Sequence, residues 1–170
     1  MFPAHLPAGY LPGHRLARAA RNRRALVLTA CAASLLPDTD LLWFYLVDNR
    51  QTVHHAYLFH WPLFWILMAG LAGLAAKLLQ RPRALPYIGV SLAALLLHML
   101  LDTLAGGISW LAPFRDHELR LVEVPSRHSW WVWNFVLHWT MALEVLILAA
   151  FASALFRDTG RGPRRGGTQG

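Results

Sequence analysis

The sequence predicts an all-α fold: a multi-pass transmembrane helical bundle with about four membrane-embedded helical elements. Of the 170 residues, 56% are hydrophobic and only 15% are charged, whereas a typical soluble domain carries about 25% charged residues. Several apolar stretches reach the roughly 20 residues that a helix needs to cross a bilayer. The single cysteine, Cys31, excludes an internal disulfide and a cysteine-based zinc site.

Three apolar stretches are long enough to cross a membrane: residues 61–79, 85–104 and 132–156. A fourth stretch, residues 25–47, is interrupted at residues 37–40, where a proline is followed by two acids. We predict that this stretch is a broken or re-entrant helix, and a buried helix followed by a loop is the alternative. We expect one integral-membrane helical domain over residues 1–156 and a flexible, basic, glycine-rich tail over residues 157–170.

The basic residues lie mostly on one side of this four-crossing arrangement. Twelve of the sixteen Lys and Arg residues occur before residue 25, between residues 77 and 83, or after residue 156. Because cytoplasmic segments of membrane proteins are enriched in Lys and Arg, we expect both termini in the cytoplasm. The net charge of +7 is therefore attributed to membrane orientation. The expected partner is the lipid bilayer, and a nucleic-acid partner is not expected.

Ionisable side chains inside membrane spans are energetically costly and usually functional. The four-crossing arrangement places most of the ionisable side chains near the outer face, so we expect them to converge. They are Asp38, Asp40, His55, His60, His98, Asp102 and His138, with Glu144 about 9 Å deeper.

The most informative pair is His98 and Asp102, whose i, i+4 spacing places both side chains on one helical face. They suit two ligands on one metal ion, or a histidine ligand oriented by a carboxylate, and a hydrogen bond between helices is the alternative. Asp38 and Asp40 could converge on a cation, or one could bind metal while the other accepts a proton; acids that simply face water are the alternative. Glu144 suits a proton relay or a hydrogen bond to a neighbouring helix.

The order of these motifs resembles the YdjM-type (LexA-regulated) membrane-bound, metal-dependent hydrolases. The matching segments run from AHLPAGYL through LLPDTD, HAYLFHWPL and HMLLDTLAGGISWLAPF to HWTMALE. Where the family commonly has Arg and Ser after the paired histidines, this chain has Ala56 and Trp61. The resemblance implies a hydrolase of the bacterial inner membrane and adds His5 to the metal ligands. From the residues alone, either the N-terminal segment folds into the membrane or His5 is unrelated to the cluster.

Four histidines and three aspartates supply nitrogen and oxygen ligands without sulfur, a set that suits zinc, manganese or iron. Seven ligands exceed the four of a tetrahedral zinc ion, so one or two ions are expected, with Asp102 bridging a pair. We expect metal-activated water to attack an ester or phosphoester, including a lipid-linked one. Asp38 or Asp40 would accept the proton, with Glu144 in reserve.

Two other readings of the same residues remain open. A non-enzymatic bundle could bind haem between His98 and His138, or could move a metal ion or proton. A membrane protein with polar contacts between its helices and no site is the third possibility.

Overall fold

The computed structural model describes residues 4–18 and 20–159, and these residues form an α-helical protein. Seven α-helices follow one another: α1 (His5–Leu16), α2 (Arg23–Leu35), α3 (Asp40–Leu46), α4 (Pro62–Leu78), α5 (Leu85–Thr103), α6 (Trp131–Val136) and α7 (Met141–Thr159). Within this described part, β-structure is limited to an isolated bridge between Ile108 and Leu119. The predicted all-α fold is therefore confirmed.

The helix α1 packs unusually closely against α2 because its contact face carries glycine. A Cβ atom built on Gly9 would lie 2.6 Å from Ser34 Cβ, and one built on Gly13 would lie 2.7 Å from Ala30 Cβ. Small residues four apart on both helices let the two backbones approach, as in membrane helix pairs. The contact places the N-terminal end of α1, which begins at His5, beside the C-terminal end of α2.

The break predicted in the first apolar stretch is present. The helix α2 ends at Leu35, a 3₁₀ turn covers Pro37–Thr39, and α3 begins at Asp40. The two helical parts are bent by 46° relative to each other. A proline provides no amide donor for the continuing helix, which explains why the α-helical hydrogen bonding stops here.

The prediction of about four membrane-embedded spans is wrong. Among the described residues, Pro82–Thr103 is the one helical segment long and apolar enough to cross a membrane, and the bent pair Arg23–Leu35 plus Pro37–Leu46 makes a second if it counts as one span. The helix α4 has only 17 residues. It stops because Gln80 adopts a positive φ of 54° and the Arg81 amide turns back to bond the Ala76 carbonyl at 2.7 Å.

The last predicted stretch, residues 132–156, is divided into α6 and α7. A tight turn separates them, in which the His138 amide bonds the Phe135 carbonyl and the Met141 amide bonds the His138 carbonyl. The helix α7 also carries three charged residues and continues to Thr159, three residues beyond the predicted end of the domain at 156. Residues 160–170 of the predicted tail lie outside the described residues.

The helices α1, α2 and α5 form the centre of the molecule, with α4 packed against α5 and α7 against α1. Small side chains fill the contact between α2 and α5, including Ala30, Ala33 and Ala94. The connection after α5 folds back over its C-terminal end, where the Leu121 amide bonds the Thr103 carbonyl at 3.0 Å. That end of α5 is therefore covered by chain rather than left open.

Candidate metal centre

Ionisable side chains from four separate parts of the chain meet near the C-terminal end of α5. The helices α1 and α5 contribute three of them and the turn between α2 and α3 contributes one. The last two come from the two 3₁₀ turns before α4, His54–Ala56 and Leu58–His60. The six residues are His5, Asp38, His55, His60, His98 and Asp102. Five are buried, and the side chain of Asp38 is 18% exposed. Positions separated by up to about a hundred residues in the chain therefore share one small volume.

Each of three imidazoles is held by a hydrogen bond from its Nδ1 atom. His55 Nδ1 donates to the Gly106 carbonyl at 2.9 Å, and His98 Nδ1 donates to the Ser34 carbonyl at 2.7 Å. His60 Nδ1 donates to Asp40 Oδ2 at 2.6 Å. Because an acceptor oxygen requires a proton on Nδ1, the lone pair of each ring is on Nε2. This support from behind the ring is typical of metal-binding histidines.

The Nε2 atoms of these three rings all lie near one carboxylate oxygen. Asp102 Oδ2 is 3.1 Å from His98 Nε2, 3.7 Å from His55 Nε2 and 3.8 Å from His60 Nε2. The i, i+4 spacing on α5 accounts for the first distance. The other two distances arise because the two 3₁₀ turns place His55 and His60 beside Asp102. Asp102 is therefore the centre of the cluster.

Two sets of side chains could each hold a metal ion, and they share Asp102. The first set contains His5, Asp38, His98 and Asp102, and the second contains His55, His60 and Asp102; within each set the candidate ligand atoms lie within 4.8 Å of one another. A shared carboxylate is the arrangement by which two-metal sites bridge their ions. The geometry therefore accommodates either one ion or two.

A bound cation would satisfy the buried polar atoms of the cluster better than their contacts with one another do. His98 Nε2 is buried and makes no hydrogen bond within the described part of the chain. A buried acceptor without a donor is costly, and a cation among nitrogen and oxygen ligands would satisfy it. The donor set of imidazoles and carboxylates, without sulfur, suits zinc, manganese or iron.

The close packing of α1 on α2 brings His5 into the cluster. His5 Nε2 lies 3.2 Å from Asp102 Oδ1, and its ring stacks on that of His98 with the centroids 3.9 Å apart. Gly9 and Gly13 follow His5 at intervals of four residues, so all three lie on one helical face. The structure thus decides the question that the residues alone left open: the N-terminal helix packs into the bundle.

Two of the histidines lie outside the membrane-spanning segments. Both are in the neutral form because they are buried. Removal from water, together with the neighbouring His55 and His98, lowers the pKa of His60 from 6.5 to about 3. Burial also lowers the pKa of His5, against the opposing effect of Asp102. Metal ions bind the neutral imidazole, so both rings are ready to act as ligands at neutral pH.

Three predicted site residues lie outside both sets. Asp40 stands behind His60 and orients it rather than facing the shared carboxylate. His138 bonds Thr140 Oγ1 at 3.0 Å, and no contact joins it to His98 among the described residues. Glu144 is buried on α7 but belongs to neither set. The turn between α6 and α7 interrupts the helix on which the sequence places His138.

Sequence reasoning missed the groups that orient the ligands. The backbone carbonyls of Ser34 and Gly106 accept hydrogen bonds from His98 and His55. Every residue has a backbone carbonyl, so the residue type does not reveal this role. A side chain would not fit at Gly106, because a Cβ there would lie 2.7 Å from His55 Nδ1. The glycines four apart in α1 are a signal of close helix packing that the sequence does contain.

Comparison with known proteins gives a match over nearly the whole chain. A family model described as YdjM inner membrane protein matches residues 1–161. No curated protein and no solved structure matches the chain.

Proposed function

Because the chain belongs to the YdjM inner membrane protein family, we propose that it is a membrane-bound, metal-dependent hydrolase of the bacterial cytoplasmic membrane, with both termini in the cytoplasm. The observation that carries the proposal is the pair of ligand sets that share Asp102. Three of the imidazoles in these sets are oriented from behind, which is the support expected of metal ligands. A purely structural cluster has no need of six converging ligands in one buried volume.

The proposed resident metal is a divalent ion, one or two per chain, with zinc favoured over manganese or iron. The first set would hold one ion and the second set another, with Asp102 between them. A bound ion of this kind lowers the pKa of water to about 7 and polarises the bond to be cleaved.

Three carboxylates have distinct proposed roles in the reaction. Asp38 is the proposed proton acceptor, because its side chain is more exposed than that of Asp102, at 18% against 2%, and its Oδ1 lies 3.7 Å from His98 Nε2. Asp40 is a positioning residue, since its oxygen fixes the proton of His60 on Nδ1. Glu144 keeps the reserve role of proton acceptor, because it is a second buried carboxylate without a place in either ligand set.

The proposed substrate is an ester or phosphoester, including a lipid-linked one. The cluster lies at the C-terminal end of Pro82–Thr103, the segment able to cross a membrane, and hence at a membrane boundary if that segment spans. A site at this depth lies level with the polar part of a lipid. The chain also exposes large apolar side chains on α4, such as Leu67 and Leu74, as a lipid-facing helix would.

The test is the metal content of the protein purified in detergent, measured by elemental analysis. We expect one or two equivalents of zinc, manganese or iron per chain. Asp102→Asn should reduce this to less than about one tenth, because the substitution removes the charge shared by both sets and breaking a buried charge network is severe. Asp116→Asn is the matched control, since Asp116 is an exposed aspartate in a loop.

The outcomes separate metal binding from hydrolysis. A well-folded wild-type protein without metal, or equal metal in Asp102→Asn and wild type, would contradict the metal centre. Hydrolysis is then tested on the metal-loaded protein with p-nitrophenyl esters and phosphodiesters in mixed micelles. Turnover that is lost in both Asp38→Asn and Asp102→Asn supports the hydrolase; bound metal without turnover of any ester would favour a binding or transport role.

A further inference from the structure

A cavity of about 520 Å³ lies at the opposite end of α5 from the metal centre. It is bounded by the turn between α1 and α2 and by the start of α5, and it is lined by Arg21, Asn22, Leu26, Arg83, Pro86 and Tyr87, among others. Tyr87 and His98 are eleven residues apart on one helix, which corresponds to about 16 Å along its axis. The cavity is thus a separate feature that the proposed hydrolysis does not use.

Positive charge at this cavity is not neutralised by the protein. The side chains of Arg21 and Arg83 are exposed, and neither makes a hydrogen bond or ion pair within residues 4–18 and 20–159. The segments that form the cavity contain no acidic residue: none occurs in residues 1–37 or in residues 49–101. The cavity therefore favours an anionic ligand.

The rest of the lining is apolar or aromatic. Leu26 belongs to the core between α2 and α5, and Tyr87 packs against that core. Two guanidinium groups beside an apolar wall match an amphiphilic anion, whose phosphate pairs with Arg and whose hydrocarbon part lies on the wall. Inorganic phosphate would satisfy the charges but would leave the wall exposed.

The position of the cavity agrees with such a ligand. The segment Pro82–Thr103 has 22 residues, about 33 Å of helix, which is close to the thickness of a bilayer core. If this segment spans, Arg83 lies at the level of the lipid headgroups. Basic pockets between helices at this level are typical sites for anionic lipid headgroups.

We propose that this cavity binds one anionic phospholipid, with Arg21 and Arg83 pairing with its phosphate and the Leu26–Tyr87 side facing its glycerol and upper acyl chain. The inference rests on the membrane placement of the chain and not on the metal centre.

The experiment counts lipids that stay bound to the intact protein, by native mass spectrometry from detergent micelles doped with phosphatidylglycerol or with phosphatidylcholine. We expect one retained phosphatidylglycerol and no retained phosphatidylcholine. The double substitution Arg21→Gln/Arg83→Gln should weaken phosphatidylglycerol binding about 30-fold, given the usual contribution of each juxtamembrane Arg. Both residues are exposed, so the variant should fold normally.

The matched control removes the same charge from neighbouring positions in the chain. Arg24→Gln/Arg81→Gln alters two exposed neighbours that do not line the cavity. Equal weakening in both double variants would overturn the proposal in favour of unspecific surface charge. Competition by millimolar inorganic phosphate equal to that by phosphatidylglycerol would also overturn it, because the site would then recognise a free anion and not a lipid.

Discussion

The contact between α1 and α2 predicts that Gly9→Ala damages the metal centre without touching a ligand. An alanine Cβ at this position would lie 2.6 Å from Ser34 Cβ and 2.9 Å from the Ala30 carbonyl oxygen. Ser34 is fully buried, and its hydroxyl donates to the Cys31 carbonyl at 2.8 Å, so the side chain has little room to turn away. The other neighbour is backbone and can move only with α2.

The size of the effect follows from these distances. Carbon atoms in contact prefer a separation of about 3.5–4.0 Å, so the two helices must separate by about 1 Å. His5 lies one turn from Gly9 on the same face and would move with the helix. A metal ligand must keep its distance to within about 0.2 Å, so we expect metal affinity to fall about 10–100-fold, as when other ligand supports are lost. Overpacking of this kind also destabilises a protein by about 1–3 kcal/mol.

The assay is a zinc titration against a competing chromophoric chelator, combined with thermal unfolding in detergent. Gly73→Ala is the matched control, because it lies in α4 with open space around its Cβ position. There the alanine should leave zinc affinity unchanged and should stabilise the helix by about 0.5–1 kcal/mol.

A double-variant comparison separates the loss of His5 from general damage. In a His5→Ala background, Gly9→Ala should cause little further loss of zinc affinity, since the ligand that it displaces is already gone. Wild-type zinc affinity and stability in Gly9→Ala alone would refute the reasoning, as would a fully additive loss of affinity in the double variant.

Two further predictions concern the groups that orient the histidines. Asp40→Asn should lower metal affinity about 10–100-fold while leaving a folded protein. The reason is that an amide can present its NH₂ group to His60 Nδ1 and favour the other tautomer of the ring. Unchanged zinc affinity would show that Asp40 does not control the tautomer of His60. Gly106→Ala should displace His55, since the added Cβ would lie 2.7 Å from His55 Nδ1 and 3.0 Å from the Asp102 carbonyl oxygen; we expect a loss of the second of two bound ions, measured by elemental analysis, and full occupancy of both sites would contradict it.

Much of the fold follows from local rules that the sequence carries openly. The apolar stretch predicted over residues 85–104 is observed as α5 at Leu85–Thr103, and the stretch predicted to begin at residue 61 forms α4 from Pro62. The break at Pro37 is local too, because proline ends helical hydrogen bonding wherever it stands. The i, i+4 spacing of His98 and Asp102 likewise required no tertiary information.

The number of membrane spans was overestimated because apolar length does not reveal where a helix turns. Residues 132–156 are apolar enough to suggest one span, but Asn134 accepts hydrogen bonds from the amides of Arg127 and His128 and holds α6 to the preceding loop. The turn at residues 137–140 then separates α6 from α7. The sequence places His138 in the cluster on the basis of one continuous helix over residues 132–156, and the structure divides these residues between α6 and α7.

The sequence by itself determined the helical class, the position of the break and which side chains are too polar for an apolar bundle. The tertiary structure decided which of them meet: His5 through glycine contacts, His55 through the Gly106 carbonyl, and Asp40 as the support of His60 rather than as a partner of Asp38. The physical reason is that helical periodicity and the effect of proline each involve only a few neighbouring residues. Both can therefore be recognised from the types of those residues. Contacts between distant elements depend on backbone carbonyls and on ångström-scale gaps between helices, which residue types do not record.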